Sequence, residues 1–367
     1  MIRALGRGLL YASLALALPV ATVARAQDKV VNVYNWSDYI DPTVLEDFTK
    51  ETGIKVVYDT YDNNEIVETK LMAGKSGYDV VVPSGAPLQR LIAAGVLTKL
   101  DKAKLPNLKN MWPEITDRLK AYDPGNAYAV NYMWGTTGIG YNVKKVKERL
   151  GDKPIDSWDI VLKPENISKL KDCGVMVLDA PEDTFGGVLR WLGLNPDSKN
   201  PADYQKAADV LMKIRGNVRK FHSSEYINAL ANGDICLAVG YSGDVLQAGK
   251  RADEAKNGVE IQYAIPREGA LMWFDSMTIP VDAPNAANAY AFIDFMLRPD
   301  IAARNVNFVN YASGNLAAKG GVKPEILNNP GIYPNAEVLK RLFTNSSWDD
   351  KLQKQNTRLW TRVKTGK

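Results

Sequence analysis

Apolar and polar residues alternate across Val31, Asn32 and Val33, the period of a half-buried strand. Asp41-Pro42 follows as a helix N-cap with proline in the first turn. The spacing predicts a helix over 42–52 with Val44, Leu45 and Phe48 inward and Gly53 as its C-cap. A strand at 54–58, a helix at 64–73, an apolar strand at 78–82 ending in Pro83-Ser84-Gly85, and a helix at 88–94 come next. Strands alternating with helices predict a parallel sheet covered on both faces.

The stretch 128–142 is extended, glycine-broken and longer than one sheet ordinarily needs from a strand, so it is expected to cross between two domains. Beyond it the alternation restarts: helices at 143–150, 164–171, 183–192, 204–214 and 223–231, and strands at 175–178 and 235–239. Residues 259–266 and 270–280 read as the return crossing, and a helix at 287–297 follows. The expected organisation is one lobe from 27–134 plus 267–310, a second from 135–266, and a C-terminal segment, 311–367, packing across both. Within that segment the tail from Asn335 reads as a surface helix with a frayed end. Two crossing strands favour hinge closure over independent tumbling.

Composition changes this picture in three places. Arg3 and Arg7, the apolar run Leu9 to Val20 and Ala24-Arg25-Ala26 form the pattern of a cleaved export signal over residues 1–26. Subtracting the three arginines of that leader from 46 Lys+Arg leaves 43 against 42 Asp+Glu, which removes any compositional case for nucleic acid binding. The two cysteines, Cys173 and Cys236, are an even pair in an exported chain, a setting that favours a disulfide over buried free thiols. With a single histidine, His222, and no C-x-x-C or H-E-x-x-H motif, no metal site is expected.

Candidate chemistry gathers at five strand ends. Trp36, Ser37, Asp38 and Tyr39 follow the first strand, Ser84 the third, and Asp179, Glu182 and Asp183 the strand at 175–178. Tyr241, Ser242 and Asp244 follow 235–239, and Trp273, Phe274 and Asp275 follow the return crossing. None of the five clusters contains lysine or arginine. Aromatic faces attract cations and cover methylenes, and carboxylates bind amines through charge-assisted hydrogen bonds. A ligand cationic at both ends and apolar between them, such as an aliphatic polyamine, matches that set. The other tryptophans, Trp112, Trp134, Trp158, Trp191, Trp348 and Trp360, read as core, and His222 as structural beside a helix start. Gly240-Tyr-Ser-Gly-Asp244 lacks the final glycine of a nucleophile elbow. A hydrolase using a carboxylate pair remains the alternative from another class. A binding protein for an amino-acid derivative would need a basic partner for the ligand's carboxylate.

Tyr34-Asn-Trp-Ser-Asp-Tyr-Ile40, Gly77-Tyr-Asp-Val-Val-Val-Pro-Ser84, Trp134-Gly-Thr-Thr-Gly-Ile-Gly-Tyr-Asn142, Leu230-Ala-Asn-Gly-Asp-Ile-Cys236 and Gly240-Tyr-Ser-Gly-Asp244 closely resemble the periplasmic putrescine- and spermidine-binding proteins of polyamine ABC transporters. The resemblance implies an α/β, two-lobed periplasmic binding protein fold of type II, with the ligand cleft between lobes joined by two crossing strands. It implies a Cys173–Cys236 disulfide. By motif, the family's aromatic walls fall on Trp36, Tyr39, Tyr241 and Trp273, with Tyr311 as a further ring; its amine-binding carboxylates fall on Asp38, Asp244 and Asp275, and its hydroxyl contacts on Ser37 and Ser84. Asp183 stands where the family often has glutamate, and Pro87 where it often has an aromatic, so the class of ligand is better defined than its length. The implied protein is a non-enzymatic, cofactor-free and monomeric periplasmic carrier. It would bind putrescine, spermidine or a relative such as agmatine or cadaverine and deliver it to an inner-membrane ABC permease.

Overall fold

The structure is a computed structural model that describes residues 29–367; the expected leader at 1–26 lies outside the described residues. Ten strands run in chain order: β1 (Val30–Trp36), β2 (Lys55–Tyr61), β3 (Val80–Val81), β4 (Ala129–Asn142), β5 (Val175–Val177), β6 (Lys220–Phe221), β7 (Leu237–Tyr241), β8 (Ile261–Ala264), β9 (Met272–Thr278) and β10 (Ala312–Ser313). They are hydrogen-bonded in the order β2-β1-β3-β9-β4-β7-β5-β6, with β8 and β10 also on β4. The β1, β2 and β3 pairings are parallel, as the strand-helix alternation requires.

Strand β4 belongs to both halves of the molecule. Its residues 129–136 pair antiparallel with β9, and 137–142 pair with β7 and β8. The return crossing lies between β8 and β9. A third segment crosses beside it, which the sequence reading did not include: Phe343 N–H donates to Ala270 O at 3.1 Å, and Met272 N–H donates to Phe343 O at 2.8 Å. This segment carries no apolar alternation and bonds through its backbone, so its side chains leave no pattern to read.

Each lobe buries both faces of its sheet, so its strands are near-continuously apolar. In the first lobe Val31, Val33 and Val80 pack with Phe48 and Ile293, while Tyr34 and Val81 point to the other face with Leu88 and Leu91. In the second, Val175, Val177, Leu237 and Val239 pack with Phe185 and Leu189, and Met176 and Ala238 with Tyr226 and Val245. The helix Pro42–Thr52 forms as expected, with the Asp41 carboxylate accepting from Thr43 N–H and Gly53 left-handed at φ 71°.

The helical expectations need correction in several places. The segment at 164–171 splits into a short helix Pro164–Ile167 and a 3-10 turn Ser168–Leu170. Helices Ser242–Ala255 and Pro299–Val309 were not anticipated. The first of these buries Val245, Ala248 and Ala252 at helical spacing, but Ser242, Gly243, Asp244 and Gln247 are buried with them, so its apolar stripe is short and mixed with polar residues. The C-terminal tail is not a frayed surface helix. Asp350–Thr365 is capped by Asp349 and by left-handed Gly366, and it buries Leu352, Leu359, Trp360 and Val363 in the second lobe's core. The C-terminal segment therefore divides: β10, Ile326 and Ile332 pack with the first lobe, and residues from Trp348 onward with the second.

Cys173 and Cys236 form a disulfide with a Cα–Cα distance of 5.5 Å, closing 63 residues of the second lobe. Loop-closure entropy for that length is worth about 4 kcal/mol. The double variant Cys173→Ser, Cys236→Ser is expected to lose about 2–4 kcal/mol in chemical denaturation. An unchanged midpoint and slope would show that the cross-link contributes nothing to stability.

Candidate functional site

The carboxyl ends of β1, β3 and β7 meet β9 around an interlobe cavity of about 680 Å³. This is the position at which open α/β sheets hold ligands. Trp36 ends β1, and its indole N–H donates to Val82 O at 3.0 Å, which fixes the ring against Tyr61. Alternation along β9 turns Trp273 and Asp275 toward the cavity and Phe274 into the core of the first lobe.

The rings form one chain of edge contacts across the molecule. Trp36 lies 6.4 Å from Tyr241, Tyr241 5.6 Å from Trp273, Trp273 5.2 Å from Tyr311, and Tyr311 5.1 Å from Tyr39, all near-perpendicular. Close approach demands glycine at two points. A Cβ on Gly135 would lie 2.6 Å from the Trp273 ring, and one on Gly243 2.5 Å from Tyr311.

Three aspartates face this aromatic wall, each held by hydroxyl donors. Asp275 accepts from Tyr39 OH at 2.9 Å and Ser84 Oγ at 2.6 Å. Asp244 accepts from Tyr226 OH at 2.7 Å and Tyr311 OH at 2.6 Å. Asp183 accepts from Thr137 Oγ1 at 2.8 Å. Among the described residues none of the three makes an ion pair with a basic side chain. Burial pushes each carboxyl up to about 7, against the lowering effect of the hydroxyls; the other acids add to the rise at Asp275. The arrangement is a desolvated negative site with its own donors already in place.

Asp38 is placed elsewhere. It sits at φ 56°, its carboxylate meets Arg251 Nη2 at 2.6 Å, and its carbonyl accepts from Gln247 Nε2 at 3.3 Å. The side chain is 40% exposed and does not line the cavity. The residue therefore ties the rim of the first lobe to the helix Ser242–Ala255 of the second, and an arginine does stand beside the predicted acidic set. Asp179 is likewise occupied, by Trp360 Nε1 at 2.7 Å and Lys364 Nζ at 2.8 Å from the C-terminal helix. The structure brings together Trp36, Ser37, Tyr39, Ser84, Asp183, Tyr241, Asp244, Trp273, Asp275 and Tyr311 at the cavity, and leaves Asp38 outside it.

Sequence reasoning missed several wall residues. Tyr61 ends β2, Asp62 and Asn64 follow it, and all three could have been found by the same strand-end rule that found the others. Asn345 lies on the third crossing segment and carried no signal. His222 caps the helix Tyr226–Ala231 from its Nδ1, which accepts Ser224 and Glu225 N–H at 3.2 Å each, while Nε2 lies 3.6 Å from Asp62 of the other lobe. Among the described residues no cluster of His, Cys, Asp and Glu is placed to hold a metal ion.

A two-lobed α/β frame with an interlobe cleft of this kind is the architecture of bacterial solute-binding proteins. The family model for the bacterial extracellular solute-binding protein matches residues 43–332, and the chain belongs to that family. It is similar to the putrescine-binding periplasmic protein PotF of Escherichia coli, at 53% identity over 98% of this chain and 97% of that protein. It is similar to the putrescine-binding periplasmic protein SpuD of Pseudomonas aeruginosa, at 54% identity over the full length of both. Among solved structures, a putative spermidine/putrescine ABC transporter protein from Listeria monocytogenes aligns with TM-score 0.83 and 33% identity over 92% of this chain and 100% of that one. These relatives are named for binding and transport, which supports the carrier reading over the hydrolase alternative.

The raised carboxyls set a sign for stability. Their folded values near 7 exceed the ordinary aspartate value of 3.8, so the folded protein binds more protons than the unfolded chain between those limits. Their stabilising contribution is full below about pH 4 and is lost as pH rises through 7. The ligand-free protein is expected to lose several degrees of Tm from these groups between pH 5 and pH 8. The triple variant Asp183→Asn, Asp244→Asn, Asp275→Asn should flatten that part of the profile, and an identical profile would place the titrating groups elsewhere.

Proposed function

We propose that the protein captures a polyamine in this cavity and, from the periplasm, hands it to an inner-membrane ABC permease. The observation that carries the reading is the set of three buried aspartates facing an aromatic wall without a basic partner. A ligand with a cation at each end supplies the missing charge, and its methylenes take the faces of Trp36, Tyr241 and Trp273. The named relatives bind putrescine by their descriptions, which agrees with a short aliphatic diamine as the first ligand to test.

In this reading Asp275 and Asp244 receive one ammonium and Asp183 the other. Tyr39, Ser84, Tyr226 and Tyr311 orient the acids and are themselves fixed by ring packing, so the amine meets carboxylates already positioned. Tyr311 reaches Asp244 from the other lobe, so lobe closure assembles that end of the site.

Calorimetry with putrescine and spermidine tests the proposal; no heat and no thermal shift with either would overturn it. Asp275→Asn should weaken putrescine binding about tenfold to a hundredfold, from about 1.5–3 kcal/mol for a charged hydrogen bond. Because the cation binds the ionised acids, affinity should fall as pH drops below about 7, and binding near pH 7 should release protons. The release is read as a binding enthalpy that changes with buffer ionisation heat, and a buffer-independent enthalpy at pH 7 would show that the acids are already ionised.

A further inference from the structure

Strand β4 carries one residue more than β9 can pair. Asn131 lies opposite Ser276 and Met133 opposite Asp275, so Tyr132 has no partner on β9 and forms a β-bulge. The packing records the extra residue: Tyr132 and Met133, adjacent in sequence, both pack with Val31 and Val130 on one face of the sheet, and Trp134 returns to the other. A ladder continued from Asn131 without the bulge would set Trp134 opposite Trp273. The shift sets Gly135 there instead, the glycine that leaves the Trp273 ring its room.

Two side chains hold the bulge, and each reaches a ligand-facing group. The Asn131 amide nitrogen donates to Met133 O at 3.1 Å and to Asp275 O at 3.0 Å, which ties together the first pair beyond the shift. Asn131 is buried, and a Cβ on Gly314, just after β10, would overlap its Oδ1. Tyr132 reaches the loop after β1: its OH donates to Tyr39 O at 2.8 Å, and its ring meets the Tyr39 ring edge-on at 5.3 Å. Tyr39 OH in turn donates to the Asp275 carboxylate at 2.9 Å. The backbone of Asp275 and the tyrosine that binds its carboxylate are thus both fixed by neighbouring residues of one bulge. Asn131 and Tyr132 are themselves buried in the first lobe and do not line the main cavity.

Resting on the polyamine reading, we infer that Asn131 and Tyr132 are positioning residues for the Asp275 end of the site: the bulge aims the Asp275 carboxylate and holds Tyr39 against it, without either residue meeting the ligand. Bulges bend a strand locally and re-aim side chains beside functional sites. This one acts on three ligand-facing groups from within the core, through the Asp275 carbonyl, the Tyr39 backbone and the space beside Trp273. An acid already ordered by the fold loses less freedom when the amine arrives.

Tyr132→Phe keeps the ring and removes the hydroxyl bonded to Tyr39 O; it is expected to weaken putrescine binding about three- to tenfold. Asn131→Ala removes the donors to Met133 O and Asp275 O and should weaken it about tenfold or more. A general loss of stability would add to any other change in the site, whereas residues that act through Asp275 lose their effect once that acid is gone. In the Asp275→Asn background each variant should therefore change affinity less than about twofold. A second readout is the pH at which putrescine affinity is half lost. A loosened Tyr39 deprives Asp275 of a hydroxyl that favours the ionised acid, so this midpoint should move upward in Tyr132→Phe. Tyr132→Phe, which leaves the packing in place, decides the matter by itself if Asn131→Ala does not fold. In Tyr132→Phe, an affinity within about twofold of the wild type, a loss of undiminished size in the Asp275→Asn background, or an unmoved pH midpoint overturns the positioning role and leaves the functional reading intact. A wild-type chain that binds neither putrescine nor spermidine overturns that reading as well.

Discussion

Taking a carboxylate out of water costs several kcal/mol unless hydrogen bonds and a counter-charge replace its solvation. The cleft buries three, and the protein supplies only half of the replacement. Tyr39, Ser84, Tyr226, Tyr311 and Thr137 donate hydrogen bonds, while among the described residues the ion pair of a cavity-lining acid with a basic side chain is at the periphery, between Glu182 and Arg90. The result is that all three carboxyls are pushed to about 7. Much of the surrounding structure serves this imbalance. The tyrosines must be buried to reach the acids, their rings must pack to be held, and glycines at 135 and 243 must leave them room.

The same constraint explains why the site is split between lobes. Asp275 and its two donors lie on the first lobe, whereas Asp244 and Tyr226 lie on the second and take their remaining donor, Tyr311, from the first. Separation of the lobes would remove one hydroxyl from Asp244 and return the acids to water; apposition restores the desolvation and makes a cation worth more. Strand β4 joins the two lobes, its first half paired with β9 and its second with β7 and β8. The third segment through Phe343 runs beside the return crossing and bonds to it at Ala270 and Met272.

The α/β class, the two lobes and most residues that line the cavity were legible in the sequence because each leaves a local pattern. Alternation marks β1, caps mark the helix Pro42–Thr52, and aromatic-acid pairs without lysine mark the strand ends. What was illegible depends on partners far along the chain. Asp38 has the same local neighbours as a cage acid, and only Arg251 draws it outward. Asp179 is claimed by a helix 181 residues further on. The helix Ser242–Ala255 blurs its period because the small stripe Val245, Ala248 and Ala252 is buried together with Ser242, Gly243, Asp244 and Gln247, and the tail helix was underrated because its partner surface lies in the second lobe.

Ion pairs between the lobes then have different weights. The Asp38–Arg251 pair is 40% and 33% exposed, so solvent and salt screen it and its net contribution falls in the range of about 0–1 kcal/mol. Arg90 with Glu68 and Glu182 is mostly enclosed, forms three hydrogen bonds in two directions and keeps its charge at any physiological pH. An arginine so held is a fixed wall of positive charge at the far side of Asp183. The cleft thus keeps its unpaired, titratable acids at Asp275, Asp244 and Asp183, with the enclosed Arg90 pair beside the last of them.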